Sequence, residues 1–400
     1  MAVETVGRIQ RLKQHQRRSL LVEAGLILVI AAVLIFIMPA LLSEFRLNLL
    51  GRFLALAIAA LGIDLIWGYT GLLSLGHGIF FALGGYALAM HIKLQLPEGQ
   101  IPEFFRLYGV DELPWFWAPF HSFPFTAIAL FTIPAIAAGL LGYLVFRNRI
   151  RGVYFSILTQ AALVVFFNFF NSQQELFDGT NGLKTNTDQI FGIPAGSDRA
   201  QFAFYVATVI ALALMYVLCR WLTSGRFGRV LVAIRDDESR MRFSGYNPAL
   251  FKVLVFTISG AIAGIAGALY TVQSGIISPE QMSIGRSIEM VIWVAVGGRA
   301  TLVGPIFGAV LVNFAGSLLS ENFPEFWLFF QGALFLIVVT VLPDGIIGWL
   351  RFRAVNQVRA LINQVNPKQT YPSLDPDPDV DPERQNLDAE VNRERQNLRH

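Results

Sequence analysis

Cysteine is nearly absent: Cys219 is the only one in 400 residues, so no internal disulfide can form. Five scattered histidines and one thiol offer no zinc-type ligand set, and no metal site is expected. Charge is thin, at 15% Asp, Glu, Lys and Arg against the roughly one-quarter of a soluble domain. The phosphate-cradling pattern G-x-x-x-x-G-K-[ST] is missing, and the nearest string, "NGLKT" at 181–185, lacks its spacing. No pair of ionisable residues is spaced as an acid–base couple or nucleophile triad. No enzyme and no bound cofactor are expected.

What the chain has in quantity is apolar sequence, 54% of residues, with a mean hydropathy of +0.54. Runs long enough to cross a bilayer recur up to about residue 350, so a polytopic, all-α membrane protein is expected, with about ten transmembrane helices, some broken or re-entrant. The expected spans are 21–41, 47–67, 79–96, 123–146, 153–170, 202–222, 253–273, 286–297, 305–320 and 327–349. The first follows Arg8, Arg11, Lys13, Arg17 and Arg18; it is longer than a signal-peptide core and no small-residue cleavage site follows, so it reads as a retained helix.

Cytoplasmic loops carry the excess of Lys and Arg. The amino terminus (1–20), "RNRIRG" at 147–152, the segment 223–252, and Arg351 with Arg353 are basic, whereas 97–122, 171–201 and 320–326 are not. An even number of spans threads this pattern with both termini cytoplasmic. The net charge of +3 conceals a tail, 367–400, with five basic and eight acidic residues, a net of −3 that leaves +6 on the rest. The basic excess therefore reports orientation rather than nucleic-acid binding. That tail repeats "ERQNL" at 383–387 and 394–398, within a cytoplasmic region 351–400 too polar to order itself beyond 367. Aromatic clusters at "WFWAPFHSFPF" from Trp115 and at Trp349 read as interfacial anchors; a substrate cage of Trp115 and Trp117 is the lesser alternative.

Two stretches interrupt the apolar pattern. "GYTGLLSLGHG" carries Gly68, Gly71, Gly76 and Gly78, and lets a half-helix begin near Leu75 with free N–H groups aimed at its surroundings. "VGGRATLVGP" carries Gly297, Gly298, Gly304 and Pro305. The helix openings "GIFFAL" at 78–83 and "PIFGAV" at 305–310 suggest that the two breaks are copies in an internal repeat. Close packing through small residues is the competing reading. Polar groups at membrane depth are costly and usually face a cavity, so Asp64, Ser74, His77, Gln160, Asn168 and Glu289 are candidate pathway residues, with His91, Asn313 and Gln331 behind them. For His77, a hydrogen bond to a carbonyl freed by the glycines is the favoured reading of the ring.

The longest basic loop, 223–252, holds a short amphipathic pattern with Val230, Ile234, Met241 and Phe243 on its apolar side. Around it stand Arg235, Asp236, Asp237, Glu238 and Arg240, and Gly245 with Pro248 ends it. The string "AIRDDESRMRFSGYNPALFKVLVFTISGAIAGIAGAL" resembles the coupling-loop region of ABC importer permeases of the branched-chain amino acid family, and "GLLSLGHGIFFALGGY" is similar to that family's other signature. The resemblance covers about residues 50–350. "WGYTGLLSLGHG", "ELPWFW" and "RDDESRMRFSGYNP" look closer to the urea-type branch, Arg240 and Met241 standing where the amino acid branch usually has alanines.

The resemblance implies the permease fold of that family and a bacterial inner-membrane location. It implies a second homologous permease, two cytoplasmic ATPases that carry ATP and Mg, and a periplasmic binding protein; none of the partners is a nucleic acid. On it, Arg235, Asp236, Asp237, Glu238, Arg240 and Gly245 form the ATPase-coupling loop. Urea is the expected cargo, with branched-chain or other amino acids as the alternative. A stand-alone secondary transporter or channel would explain the broken helices but leaves the amphipathic loop without a role.

Overall fold

A backbone inside hydrocarbon must satisfy its own N–H and C=O groups, and the apolar runs do so as helices. The computed structural model describes residues 23, 25–97, 100–150, 152–323, 327–341 and 345–350. The basic amino-terminal segment, Arg351, Arg353 and the acidic tail lie outside the described residues. The chain divides into a unit Met1–Trp349 and a second unit, Leu350–His400, of which only Leu350 is described.

The helices, in chain order, are α1 (Gly25–Leu41), α2 (Glu44–Thr70), α3 (His77–Lys93), α4 (Phe123–Arg147), α5 (Val153–Ser172), α6 (Asp198–Ser224), α7 (Arg226–Asp236), α8 (Glu238–Phe243), α9 (Pro248–Ser274), α10 (Ile284–Gly297), α11 (Val303–Asn322) and α12 (Trp327–Val341). Among the described residues six are long and apolar enough to cross a membrane: α2, α4, α5, α6, α9 and α11. α1, α3, α10 and α12 stand where spans are expected but are shorter. Two-residue strands add a pairing of β1 (Leu183–Lys184) with β4 (Ile276–Ile277) and of β2 (Gln189–Ile190) with β3 (Ile193–Pro194).

α2 is the inner helix, with 83% of its most apolar stretch buried against 28% for α4, α5 and α6. The outer helices therefore offer wide apolar faces to lipid or to neighbours. α9 is the spine. Its Gly260 meets Ala138 of α4, Gly264 meets the Pro134 ring and Gly84, and Gly267 lies on the Phe81 carbonyl, so three small residues let α3 and α4 approach backbone to backbone. α9 crosses α2 in the opposite direction, Gly62 meeting Ser259 and Gly51 meeting Gln273.

The likeness between the two parts of the chain lies in helix endings, not in "GIFFAL" and "PIFGAV". α2 and α9 are each 27 residues long, and each ends at a glycine in the left-handed region, Gly71 (φ 72°) and Gly275 (φ 76°). "GLLS" (71–74) and "GIIS" (275–278) follow, and then a shorter helix, α3 or α10. Because α2 and α9 run antiparallel, the two units have inverted topology. At both helix endings glycine takes the left-handed conformation that other residues adopt only at a cost.

The breaks are also narrower than the glycine spacing suggests. Gly68 lies inside α2 and Gly78 inside α3, while Gly297 ends α10 and Gly304 and Pro305 sit in the first turn of α11. The non-helical backbone is 71–76 and 298–302. Gly68 serves close packing, since a Cβ there would meet the Ala300 nitrogen at 2.6 Å. The aromatic cluster divides likewise: Trp115 is 86% exposed, but Trp117 is buried and its Nε1 donates to the Leu176 carbonyl (3.1 Å), making it a fastener rather than an interfacial anchor.

Candidate functional site: the broken helices and the loop helices

The break at 71–76 lies within protein, and side chains of α5 and of the break itself satisfy its backbone. Ser156 Oγ of α5 donates to the Leu73 carbonyl (2.6 Å), and Thr159 Oγ1 accepts from the Leu75 nitrogen (3.0 Å). The Gly76 N–H donates to Ser74 Oγ (3.3 Å), which lies 3.1 Å from His77 Nδ1. His77 Nε2 lies 2.7 Å from Ser259 Oγ of α9, and Ser259 in turn donates to the Gly62 carbonyl of α2. Ser259 gives its proton to the Gly62 carbonyl, so it accepts from His77 Nε2–H. Ser74 and His77 are thus a buried brace joining α2, α3 and α9.

Asp64 holds the other break. Its Oδ1 accepts from the Ala300 nitrogen (2.7 Å) and its Oδ2 from the Leu302 nitrogen (3.3 Å), with no exposed surface on the residue. Ala300 and Leu302 both have φ of 58°, uncommon for residues with side chains, and the carboxylate fixes this turn. Thr301 Oγ1 closes it by donating to the Gly298 carbonyl (2.8 Å) and accepting from the Gly304 nitrogen (2.9 Å). The Arg299 guanidinium lies 5.1 Å from the Trp67 ring centre, and Tyr69 OH reaches the Ala300 carbonyl at 3.4 Å. The turn of α2 from Asp64 to Gly68, just before the first break, therefore carries the second.

The loop 223–252 reaches the same place. It is two helices rather than one, because Asp237 leaves helical conformation (φ −153°, ψ 96°) and caps α8 by accepting from the Arg240 nitrogen (3.0 Å). α7 buries Leu231 and Ile234, and Arg235 Nη1 donates to the Gly68 carbonyl (2.8 Å), one of the carbonyls left without a partner at the end of α2. Glu238 bridges Arg242 (2.7 Å) and the buried Lys252 at the start of α9 (2.6 Å). Asp236 and Arg240 point outward, Gly245 turns the chain at φ 84°, and Phe243 stands 93% exposed.

The remaining predicted residues do not join this cluster. Glu289 pairs with Arg286 on its own helix, α10 (2.7 Å). Gln160 is half-buried beside Thr159, and Asn168 is exposed on α5. His91 Nδ1 lies 2.7 Å from the Phe120 carbonyl, and Asn313 donates to the Ala309 carbonyl (2.8 Å). The sequence reading missed Ser156, Thr159 and Ser259, whose hydroxyls matter only through partners 83, 84 and 182 residues away.

A family model described as "Branched-chain amino acid transport system / permease component" matches residues 45–339. The chain is 27% identical to the high-affinity branched-chain amino acid transport system permease protein LivM of Escherichia coli K12, over 82% of this chain and 76% of that protein. It is 24% identical to the permease protein LivH of Salmonella typhimurium LT2, over 73% of this chain and 91% of the other. With the ribose import permease protein RbsC of Haemophilus influenzae it shares 22% over 80% and 92% respectively. No solved structure matches the chain. With the family match running from α2 into α12, through both breaks and the loop helices, this chain belongs to the family of permease components of branched-chain amino acid transport systems.

Proposed function

We propose that the chain is a membrane-spanning subunit of an ATP-driven importer, in which α7 and α8 rest on partner ATPases and transmit their movement to the broken helices. The observation that carries the reading is the contact of Arg235 with the Gly68 carbonyl: one side chain of the loop helices holds the turn of α2 that precedes the first break and carries the second. Displacing α7 withdraws a donor from the end of α2, so a movement at the loop is felt at Asp64 and the 298–302 turn within one helical turn. Nucleotide and Mg reside on the partners, a second permease completes the passage, and a binding protein supplies the cargo. The end carrying α7 and α8 faces the cytoplasm, as the basic loops require.

Urea is the favoured cargo on the sequence details "WGYTGLLSLGHG" and "RDDESRMRFSGYNP". Branched-chain amino acids are the second reading, supported by the names of LivM and LivH. Uptake of labelled urea and labelled leucine in a strain lacking this gene separates the two: loss of urea uptake alone is expected, and loss of leucine uptake alone reverses the cargo. Glu238→Ala is expected to reduce uptake and its coupling to ATP hydrolysis with the protein still in the membrane. Transport by the purified chain in liposomes without any ATPase would overturn the importer reading.

A further inference from the structure

An open cavity of about 430 Å³ lies where the end of α4, the last turn of α8 and the first turn of α9 meet. Three arginines line it, Arg147, Arg149 and Arg242, and no Asp or Glu does. Their charge is thinly compensated. Arg147 Nη1 donates to Tyr143 OH one turn back (2.7 Å), a neutral partner. The Arg149 side chain makes no hydrogen bond or ion pair among the described residues, and it stands at φ 57°, a backbone conformation uncommon for any residue but glycine. Arg242 gives Nη2 to Glu238 (2.7 Å), but that carboxylate also serves the buried Lys252 (2.6 Å), so one anion answers two cations. Arg242 Nε is buried without a partner.

Backbone groups add to the same sign. α9 begins at the cavity, where Asn247 makes no side-chain cap, Pro248 has no N–H, and the N–H groups of Ala249 and Leu250 are left without an acceptor. The carbonyl end of α4, which would offset this, is covered. Asn148 Nδ2 donates to the Leu144 carbonyl (2.8 Å), and the Arg149 and Ile150 nitrogens donate to those of Phe146 and Val145 (3.1 and 3.4 Å). From the basic cavity, apolar rows continue along both walls. Leu140 and Leu144 are exposed on the face of α4 that carries Arg147, and Leu250 and Leu254 are exposed on α9. Both helices are long and apolar enough to cross a membrane, and Tyr143 and Tyr246 stand between the charged and apolar parts as interfacial tyrosines do.

We infer that this cavity binds an anionic phospholipid, with its phosphate among Arg147, Arg149, Arg242 Nε and the first N–H groups of α9, and its acyl chains along α4 and α9. Basic pockets beside membrane helices hold such head groups by charge and N–H donors together. A soluble anion, or an acidic segment of another protein, would use the arginines and leave the leucine rows unmatched; a phospholipid matches both. Bound there, it ties the end of α4 to α8, whose Glu238 holds the start of α9 through Lys252. The inference goes beyond the importer reading and depends on neither the cargo nor the ATPases.

The purified full-length chain in detergent tests it, with dioleoylphosphatidylglycerol as the probe and dioleoylphosphatidylcholine as the zwitterionic control. Binding is read by native mass spectrometry and by thermal unfolding. Phosphatidylglycerol is expected to be retained and to raise Tm, and phosphatidylcholine to do neither. At about fivefold per arginine, Arg147→Gln combined with Arg149→Gln is expected to weaken retention about tenfold or more. Arg226→Gln combined with Arg229→Gln removes the same charge from the exposed start of α7 and is expected to leave retention unchanged. If the first double variant is not recovered, Arg149→Gln alone, whose side chain holds nothing in place, is expected to show the single step of about fivefold. Millimolar inorganic phosphate is expected not to displace the lipid. Equal retention of the two lipids, equal loss in the two double variants, no loss in the arginine variants, or displacement by inorganic phosphate overturns the inference. Binding is read without transport, so a failed importer reading leaves this result untouched.

Discussion

The break at 71–76 and the segment 276–287 each follow a 27-residue helix that ends at a left-handed glycine, and their polar groups are paired differently. In the first, the hydroxyls of Ser156, Thr159 and Ser74 account for the backbone, and Arg235 ties its neighbouring helix end to α7. In the second, the Ser287 hydroxyl and the Gln281 amide oxygen are buried without partners.

The contrast can be broken most severely at Asp64. Asp64→Ala leaves the Ala300 and Leu302 N–H groups buried and unpaired, a loss of roughly 2–5 kcal/mol, and should abolish recovery of folded protein, read by thermal unfolding in detergent. Ser259→Ala removes one link of the brace and should cost roughly 1–3 kcal/mol in the same assay, leaving His77 Nε2–H without its acceptor. Arg235→Ala sharpens the distinction between stability and coupling: its half-exposed side chain contributes about 1 kcal/mol or less, yet uptake should fall about tenfold while ATP hydrolysis continues. The smallest effect belongs to Arg240→Ala, whose exposed pair with Asp237 at 3.5 Å should shift stability by no more than about 0.5 kcal/mol. A larger loss of stability for Arg240→Ala than for Ser259→Ala would contradict the ranking of buried over exposed contacts.

Much of this was legible in the residues because membrane helices declare themselves by length and apolar content, and α2, α4, α6 and α9 stand where the runs are. What was not legible depends on distance along the chain. Asp64 is conspicuous in an apolar run, but its partners lie 236 and 238 residues later, so a structural anchor reads as a pathway residue. Ser287 gives no local signal at all, because its place beside Gly78 is determined only by the fold. The interruption at Asp237 was readable in principle: Asp followed by Glu-Ser-Arg is a helix-start signal that cuts the amphipathic pattern in two. The likeness of the two parts was readable too, in the paired endings "GLLS" and "GIIS" rather than in the helix beginnings.

The separation between Asp64 and Ala300 also bears on how the molecule is made. At a translation rate of about 5–20 residues per second, a nascent α2 waits roughly 10–50 s before the 298–302 turn leaves the ribosome. During that interval a carboxyl group sits in a newly inserted segment with neither of its eventual donors yet synthesised, and a helix destined for the interior has no spine to lean on. Biogenesis therefore has a vulnerable stage, in which the early segment must be sheltered by the insertion machinery or by water until the second half of the polypeptide arrives.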